Sequence, residues 1–245
     1  MIQRLVLPFF FWLLPFCFYA QGAVYTLKGG PVLGLQKWDN QLGQRNPLLG
    51  YHLIASIEEL TEDNRFTVFA QAGYHTRGTS TRTTFLLSNG TRYDQTFAIK
   101  FFNASLAAGA KKRFITSGSF TPYYLLGVRG EYTVKTNLDQ FESYNQCYPI
   151  YPIDNPAYIK KFNYGAIFGG GLEFPFSDLV GGVIEFTVNP DFSYQYIQPR
   201  VDNIINNCGN GGTTNPVSIP KREITNLSFE ISLGIRLLHK VEYMD

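Results

Sequence analysis

The segment from Leu227 to Leu237 alternates without a break. Leu227, Phe229, Ile231, Leu233, Ile235 and Leu237 hold one set of positions, and Ser228, Glu230, Ser232, Gly234 and Arg236 the other. Side chains of an extended chain point alternately to its two faces, so a period of two marks a β-strand. A long strand with one wholly apolar face and one polar face suits a wall with lipid outside and a polar lumen inside. Among structures that cross a bilayer, only the closed β-barrel offers such a wall.

The N-terminus reads as an export signal. Arg4 supplies the positive start, and Leu5 to Tyr19 a short apolar core rich in Phe and Leu. That run of about 15 residues falls short of the roughly 20 that a membrane helix needs. Pro8 and Pro15 also oppose a stable span. Cleavage is expected after Ala20, which divides the chain into a signal peptide, 1–20, and one barrel domain, 21–245. Cys17 is a poor lipoprotein cysteine, because Leu14, Pro15 and Phe16 before it lack the small residues such a site requires. No later stretch reaches about 18 consecutive apolar residues, so a membrane-embedded mature chain must cross with strands.

Composition agrees. Charged residues make up 16% of the 245-residue chain and aromatic residues another 16%, where a water-soluble domain carries about a quarter charged residues. The net charge is +2 with no basic cluster, so nothing points to a nucleic-acid partner and none is expected.

Eight extended segments follow the signal: Val24 to Trp38, interrupted by Pro31; Leu49 to Leu60; Arg65 up to the Asn89-Gly90 turn; Thr91 to Arg113; Tyr123 to Val134; Lys160 to Phe174; Val180 to Tyr196; and Leu227 to Leu237. Asn-Gly is a strong hairpin signal, because a type I′ turn needs positive φ at both central residues. In the fourth segment the apolar phase changes from Phe97, Ile99 and Phe101 to Phe102, Ala104, Leu106 and Ala108, and a β-bulge would account for it. Connections alternate short and long. The expected fold is an eight-stranded antiparallel up-and-down transmembrane β-barrel in the bacterial outer membrane. Its termini would be periplasmic and its long loops extracellular. A soluble β-sandwich is the competing fold, but its outer faces would be less apolar.

A barrel of this size has an interior that side chains just fill. The inward positions collect Lys28, Glu58, Lys100, Arg129, Glu131, Glu173, Glu185, Glu230 and Arg236, with Gln36, His52, Gln71 and His75. Near-balance of charge points to a polar network that replaces a hydrophobic core, with an ion path or proton relay as the functional alternative. His75 lies close in sequence to Thr76, Thr79 and Ser80, a pairing that acyl hydrolysis could use, but no third orienting group is evident. The expectation is no enzyme, no cofactor and no metal site.

Cys147 and Cys208 remain after cleavage, both in expected outer loops, where an oxidising compartment allows a disulfide. Asn89-Gly90-Thr91, Asn103-Ala104-Ser105 and Asn226-Leu227-Ser228 match the glycosylation pattern, which says nothing in a bacterium. Gly209, Gly211 and Gly212 are not placed between a strand and a helix and make no phosphate loop.

Several stretches carry a resemblance. They are Tyr19-Ala20-Gln21 at the signal end, Lys28-Gly29-Gly30-Pro31-Val32-Leu33-Gly34-Leu35, Phe69-Ala70-Gln71-Ala72-Gly73-Tyr74, and the closing Leu233-Gly234-Ile235-Arg236-Leu237. Over essentially the whole mature chain the sequence resembles the small outer-membrane β-barrel proteins of Bacteroidetes-type bacteria, grouped as the PorT-like family. The tail from Leu238 to Asp245 departs from the pattern and does not end on an aromatic residue. The family includes a component associated with protein secretion. The resemblance therefore implies a structural or accessory subunit of an envelope assembly, in contact with outer-membrane lipid and other envelope proteins. The alternatives are a stand-alone surface barrel that binds ligands through its loops, and a lipid-modifying enzyme.

Overall fold

The two-residue alternation carries through to burial along most of the wall. The computed structural model describes residues 22–39, 45–59, 65–86, 90–114, 116, 118–145, 151–204 and 217–240. The signal segment, Cys147 and Cys208 lie outside the described residues. The strands are β1 (Gly22–Trp38), β2 (Arg45–Glu59), β3 (Phe66–Leu86), β4 (Arg92–Arg113), β5 (Thr121–Thr136), β6 (Phe162–Pro175), β7 (Val180–Pro190), β8 (Tyr196–Gln198), β9 (Val201–Ile204), β10 (Val217–Ile219) and β11 (Arg222–Lys240).

Neighbours from β1 to β7 pair antiparallel in chain order, β7 pairs with β11, and β11 returns to β1 from Gly22↔Lys240 to Trp38↔Ile224. Eight strands thus close into an up-and-down barrel, in which the first and last strands pair with each other and are not open sheet edges. Pro31 does not break the first strand. It pairs with Tyr51 of β2, and the β1–β11 register is the same on both sides of it. The β2–β3, β4–β5 and β6–β7 turns share one end with Gly22 and Lys240. The longer β5–β6 and β7–β11 connections lie at the other.

The wall is apolar outside. Leu27, Leu53, Leu106, Leu126, Val128, Ile184, Leu233 and Ile235 are all exposed. Aromatic residues bound this belt. Tyr51 and Tyr74 (6.4 Å between ring centroids), Tyr74 and Phe102 (6.3 Å), and Tyr132 and Phe162 (5.0 Å) pack near the long-loop end. Phe114 and Tyr124 (5.7 Å) pack near the short-turn end. Tyr124 to Tyr132 covers ~27 Å of strand at about 3.4 Å per residue, or about 20 Å once a barrel tilt near 40° is allowed for. That is close to the ~25 Å apolar band of outer-membrane barrels.

Three sequence expectations change. The fourth strand has no reversal of phase: Phe97, Ile99, Phe101, Asn103, Ser105, Lys111 and Arg113 all point inward. What changes at Phe102 is the lining, from an apolar core above the belt to a polar lumen within it. The register does shift there, between Phe102 and Asn103, but the extra residue is Val134 of β5. The seventh strand stops at Pro190, whose missing N–H cannot continue the ladder. The chain then turns in at Asp191 and rejoins as β8, paired with Arg222 to Ile224. The last strand is longer than its alternation, from Arg222 to Lys240.

The barrel is pinched toward its long-loop end. Every residue from Thr76 to Thr81 is buried, so both faces of β3 are covered there. A register shift of β2 between Pro47 and His52 accompanies this inward lean. At the pinch Gly78 has φ of +152°, and a Cβ on it would lie 2.0 Å from the Ile99 carbonyl oxygen. Only glycine fits that approach.

Candidate functional site: the filled lumen and its lid

Inward positions of neighbouring strands stack into layers, so alternation alone sets acids against bases across the lumen. At the short-turn end, Glu173 Oε2 accepts from Arg113 Nε and from Arg236 Nη1, each at 2.8 Å, and Glu173 Oε1 accepts from Lys111 Nζ at 3.0 Å. Glu58 pairs with both Lys111 and Arg113. In the middle, Lys28 Nζ lies 2.5 Å from Glu185 Oε1, and the Tyr123 hydroxyl donates to Glu185 Oε2 at 2.7 Å. Lys111 Nζ sits 4.1 Å from the centroid of the Tyr123 ring. Gly171 makes room for that ring: a Cβ there would meet the Tyr123 hydroxyl at 2.6 Å.

Nearer the long-loop end, Arg77 Nη2 donates to Glu131 Oε1 at 2.7 Å and Nη1 lies 3.2 Å from Glu230 Oε1. Arg129 Nε is 2.9 Å from Glu131 Oε1, and Arg129 also pairs with Asp191. His75 Nδ1 is 2.9 Å from Glu230 Oε1. His52 stacks on His75 at 5.8 Å between centroids, with its Nε2 2.8 Å from Ser232 Oγ. Asn103, Gln195 and Asn226 extend the network through Glu131 and Asp191. Gln36 donates to Asn226 Oδ1 at 2.8 Å, and Gln71 is half-buried on the lumen face.

Of the nine charged positions read from sequence, Lys28, Glu58, Arg129, Glu131, Glu173, Glu185, Glu230 and Arg236 meet in the lumen network. Lys100 does not. It lies between inward Ile99 and Phe101, half-buried on the opposite face of β4, because the strand keeps its phase. Arg77, Lys111, Arg113 and Asp191 were missing from the sequence reading. Continuing the β4 alternation past Ser105 finds Lys111 and Arg113, and stepping two residues on from His75 finds Arg77. Asp191 follows a proline and carried no periodic signal. Among the described residues the six carboxylates of the network then balance Lys28, Arg77, Lys111, Arg113, Arg129 and Arg236 one for one. A buried charge without a partner costs several kcal/mol (order of magnitude), so the pairing is what makes a charged interior tolerable.

His75 is engaged by Glu230 and His52, while Thr79 and Ser80 hydroxyls donate to the Asn46 carbonyl. Among the described residues no group of His, Cys, Asp or Glu side chains is arranged to hold a metal ion.

Above the polar lumen sits an apolar lid. Trp38, Phe97, Ile99, Phe101 and Ile224 from the strands pack with Leu138, Phe141 and Tyr151 of the β5–β6 connection and with Tyr196 of β8. A single 3-10 turn, Leu138–Phe141, presents two of these residues downward. Phe141 stacks on Tyr151 at 4.7 Å and meets Phe97 edge-on at 6.0 Å. The Tyr196 hydroxyl donates to the Ile153 carbonyl at 3.1 Å, and burial pushes its pKa up. Arg222 Nη1 donates to the Tyr151 carbonyl at 3.0 Å. The Asp154 carboxyl, on an exposed residue, also has a raised pKa, from partial desolvation and then from the nearby Asp139 and Glu142.

No family model and no curated protein matches the sequence. Among solved structures the chain is similar to the outer membrane protein OprG of Pseudomonas aeruginosa, at 11% identity, TM-score 0.45, and coverage of 89% of this chain and 99% of that one. It is also similar to Neisserial surface protein A, at 12% identity and TM-score 0.41, covering 89% and 97%. A third is the outer membrane protease OmpT of Escherichia coli, at 8% identity and TM-score 0.41, covering 90% and 97%. The closed eight-stranded barrel rests on the strand pairing described above.

Proposed function

We propose that this chain is an outer-membrane β-barrel of the PorT-like kind, acting as a structural or accessory subunit of an envelope assembly in secretion or outer-membrane biogenesis. The carrying observation is the filled interior. Paired charges occupy the lumen from Glu58 to Asp191, and the lid core covers its long-loop end. A solute pore needs an open lumen, normally built from more strands, so the surfaces left for function are the wall and the loops. The apolar belt between aromatic girdles supports residence in lipid. An even strand number puts both termini at the short-turn end, which supports a periplasmic position for them and an extracellular one for the long connections.

A second reading, a stand-alone surface barrel, is favoured by the ordered lid. Tyr144, Phe192 and Tyr194 remain exposed beside it, and aromatic residues of that kind suit contact surfaces. Extraction from native membranes in mild detergent, followed by size exclusion and mass spectrometry, separates the two. Stoichiometric companions support the subunit reading. A lone barrel refutes it and turns attention to the loops.

A further inference from the structure

The outer wall is not uniformly convex. From β1 to β6 it holds a groove of about 1260 Å³ with an almost wholly apolar lining, including Ala72, Ala104, Leu106, Val128, Tyr132 and Phe162. Its floor holds short side chains on adjacent strands, as in the pairs Ala55↔Ala72 and Ala70↔Ala108. The volume exceeds the ~300–1,000 Å³ pockets that hold single small molecules.

Immediately beyond the groove, on the long-loop side, the apolar surface gives way to positive charge. Lys135 faces Phe102 across the β4–β5 ladder, three positions past Tyr132. Lys160 and Lys161 precede Phe162, and the Thr133 N–H donates to the Lys161 carbonyl at 2.8 Å, which holds the two strands together at this height. All three lysines are exposed. None of the ion pairs formed among the described residues includes them. Lys100 joins the same rim, since the Asn137 N–H donates to its carbonyl at 3.2 Å. The order along the wall is therefore acyl-sized groove, aromatic girdle, exposed ammonium groups.

We infer that this face binds a phosphate-bearing, multiply acylated membrane lipid of the leaflet at the long-loop end. Its chains would fill the groove and its phosphates would meet Lys135, Lys160 and Lys161. Three features favour that occupant. A void in a lipid-facing wall is filled by hydrocarbon at no cost in polar desolvation. Tyr and Phe at the girdle mark the headgroup level. Lysines placed just above that level attract phosphate as point charges. A partner protein offers no reason for the lysines to line up over the groove. The inference rests on the membrane-barrel reading, and the test separates the two.

The full mature chain in zwitterionic detergent is titrated with cardiolipin, a lipid with two phosphates and four chains, and separately with phosphatidylcholine. Native mass spectrometry counts the bound lipid. The expected result is retention of cardiolipin over phosphatidylcholine, with affinity falling roughly five-fold for each lysine removed in the Lys135→Gln, Lys160→Gln and Lys161→Gln series. Filling the groove by Ala104→Phe should also release the lipid, whereas Lys112→Gln, at the opposite end of β4, should not. Equal binding by the triple variant, or equal retention of the two lipids, overturns the inference. So does a dimer of the chain in place of bound lipid. A protein that stays dispersed in water without detergent instead overturns the membrane reading itself.

Discussion

Lys28 and Glu185 give the sharpest test of how the lumen is held. They lie on strands far apart in sequence, 5% and 3% exposed, with 2.5 Å between Nζ and Oε1. Lys28→Met keeps most of the side-chain volume and removes the charge. Glu185 would then be a buried carboxylate with one remaining donor, the Tyr123 hydroxyl. Breaking a buried pair by removing one partner costs ~3–5 kcal/mol. With a urea slope of about 2 kcal/mol/M, the unfolding midpoint in lipid vesicles should fall by about 2 M. Trp38, buried in the lid core, reports the transition by fluorescence. Adding Glu185→Leu to Lys28→Met should recover most of the loss, because an apolar pair removes both desolvation penalties. A midpoint that stays within about 0.3 M in the single variant, or a double variant no better than the single, would refute this account of the interior.

Other consequences follow from the same geometry. Gly78→Ala should prevent or greatly destabilise folding, because its Cβ would meet the Ile99 carbonyl at 2.0 Å, whereas Gly90→Ala, with nothing within 4 Å, should cost only turn strain of ~1 kcal/mol; melting temperatures compare the two. Phe141→Ala should cost ~3–5 kcal/mol locally and speed amide exchange over 151–159, with the belt strands still protected. For Asp154 the folded pKa lies above the unfolded one. The folded lid therefore binds the proton more tightly, and lid stability should rise as pH falls through the carboxylate range. Asp154→Asn should then slow lid exchange at neutral pH and change little near pH ~4.

The strand order and the inward set were legible because each rests on a period of two. Alternation in β11 puts Glu230 and Arg236 on one face and Leu233 on the other; Glu230 is buried, Arg236 pairs with Glu173 and Leu233 is exposed. Lys100 was misplaced for an instructive reason. Phe97, Ile99 and Phe101 are apolar and point inward, so hydrophobicity in that stretch marks a lid core and not a lipid face. A rule that equates apolar with outward holds only within the belt, and sequence does not print the belt's upper limit. The lid itself depends on Leu138, Phe141, Tyr151 and Tyr196 meeting across two connections. Contacts of that range have no local periodicity. Asp191 was invisible for the same reason, since its role comes from a turn after Pro190 that aims it at Arg129.

The central claim is a barrel whose apolar wall meets lipid. Single cysteines carrying nitroxide labels, placed at Leu53, Leu106, Leu126, Ile184 and Leu233 in a chain whose own cysteines are replaced by serine, test it directly in reconstituted vesicles. All five should collide freely with lipid-dissolved oxygen and be shielded from a water-soluble nickel reagent, with the deepest labels midway between the two aromatic girdles. Labels that meet the nickel reagent and not oxygen would contradict the account.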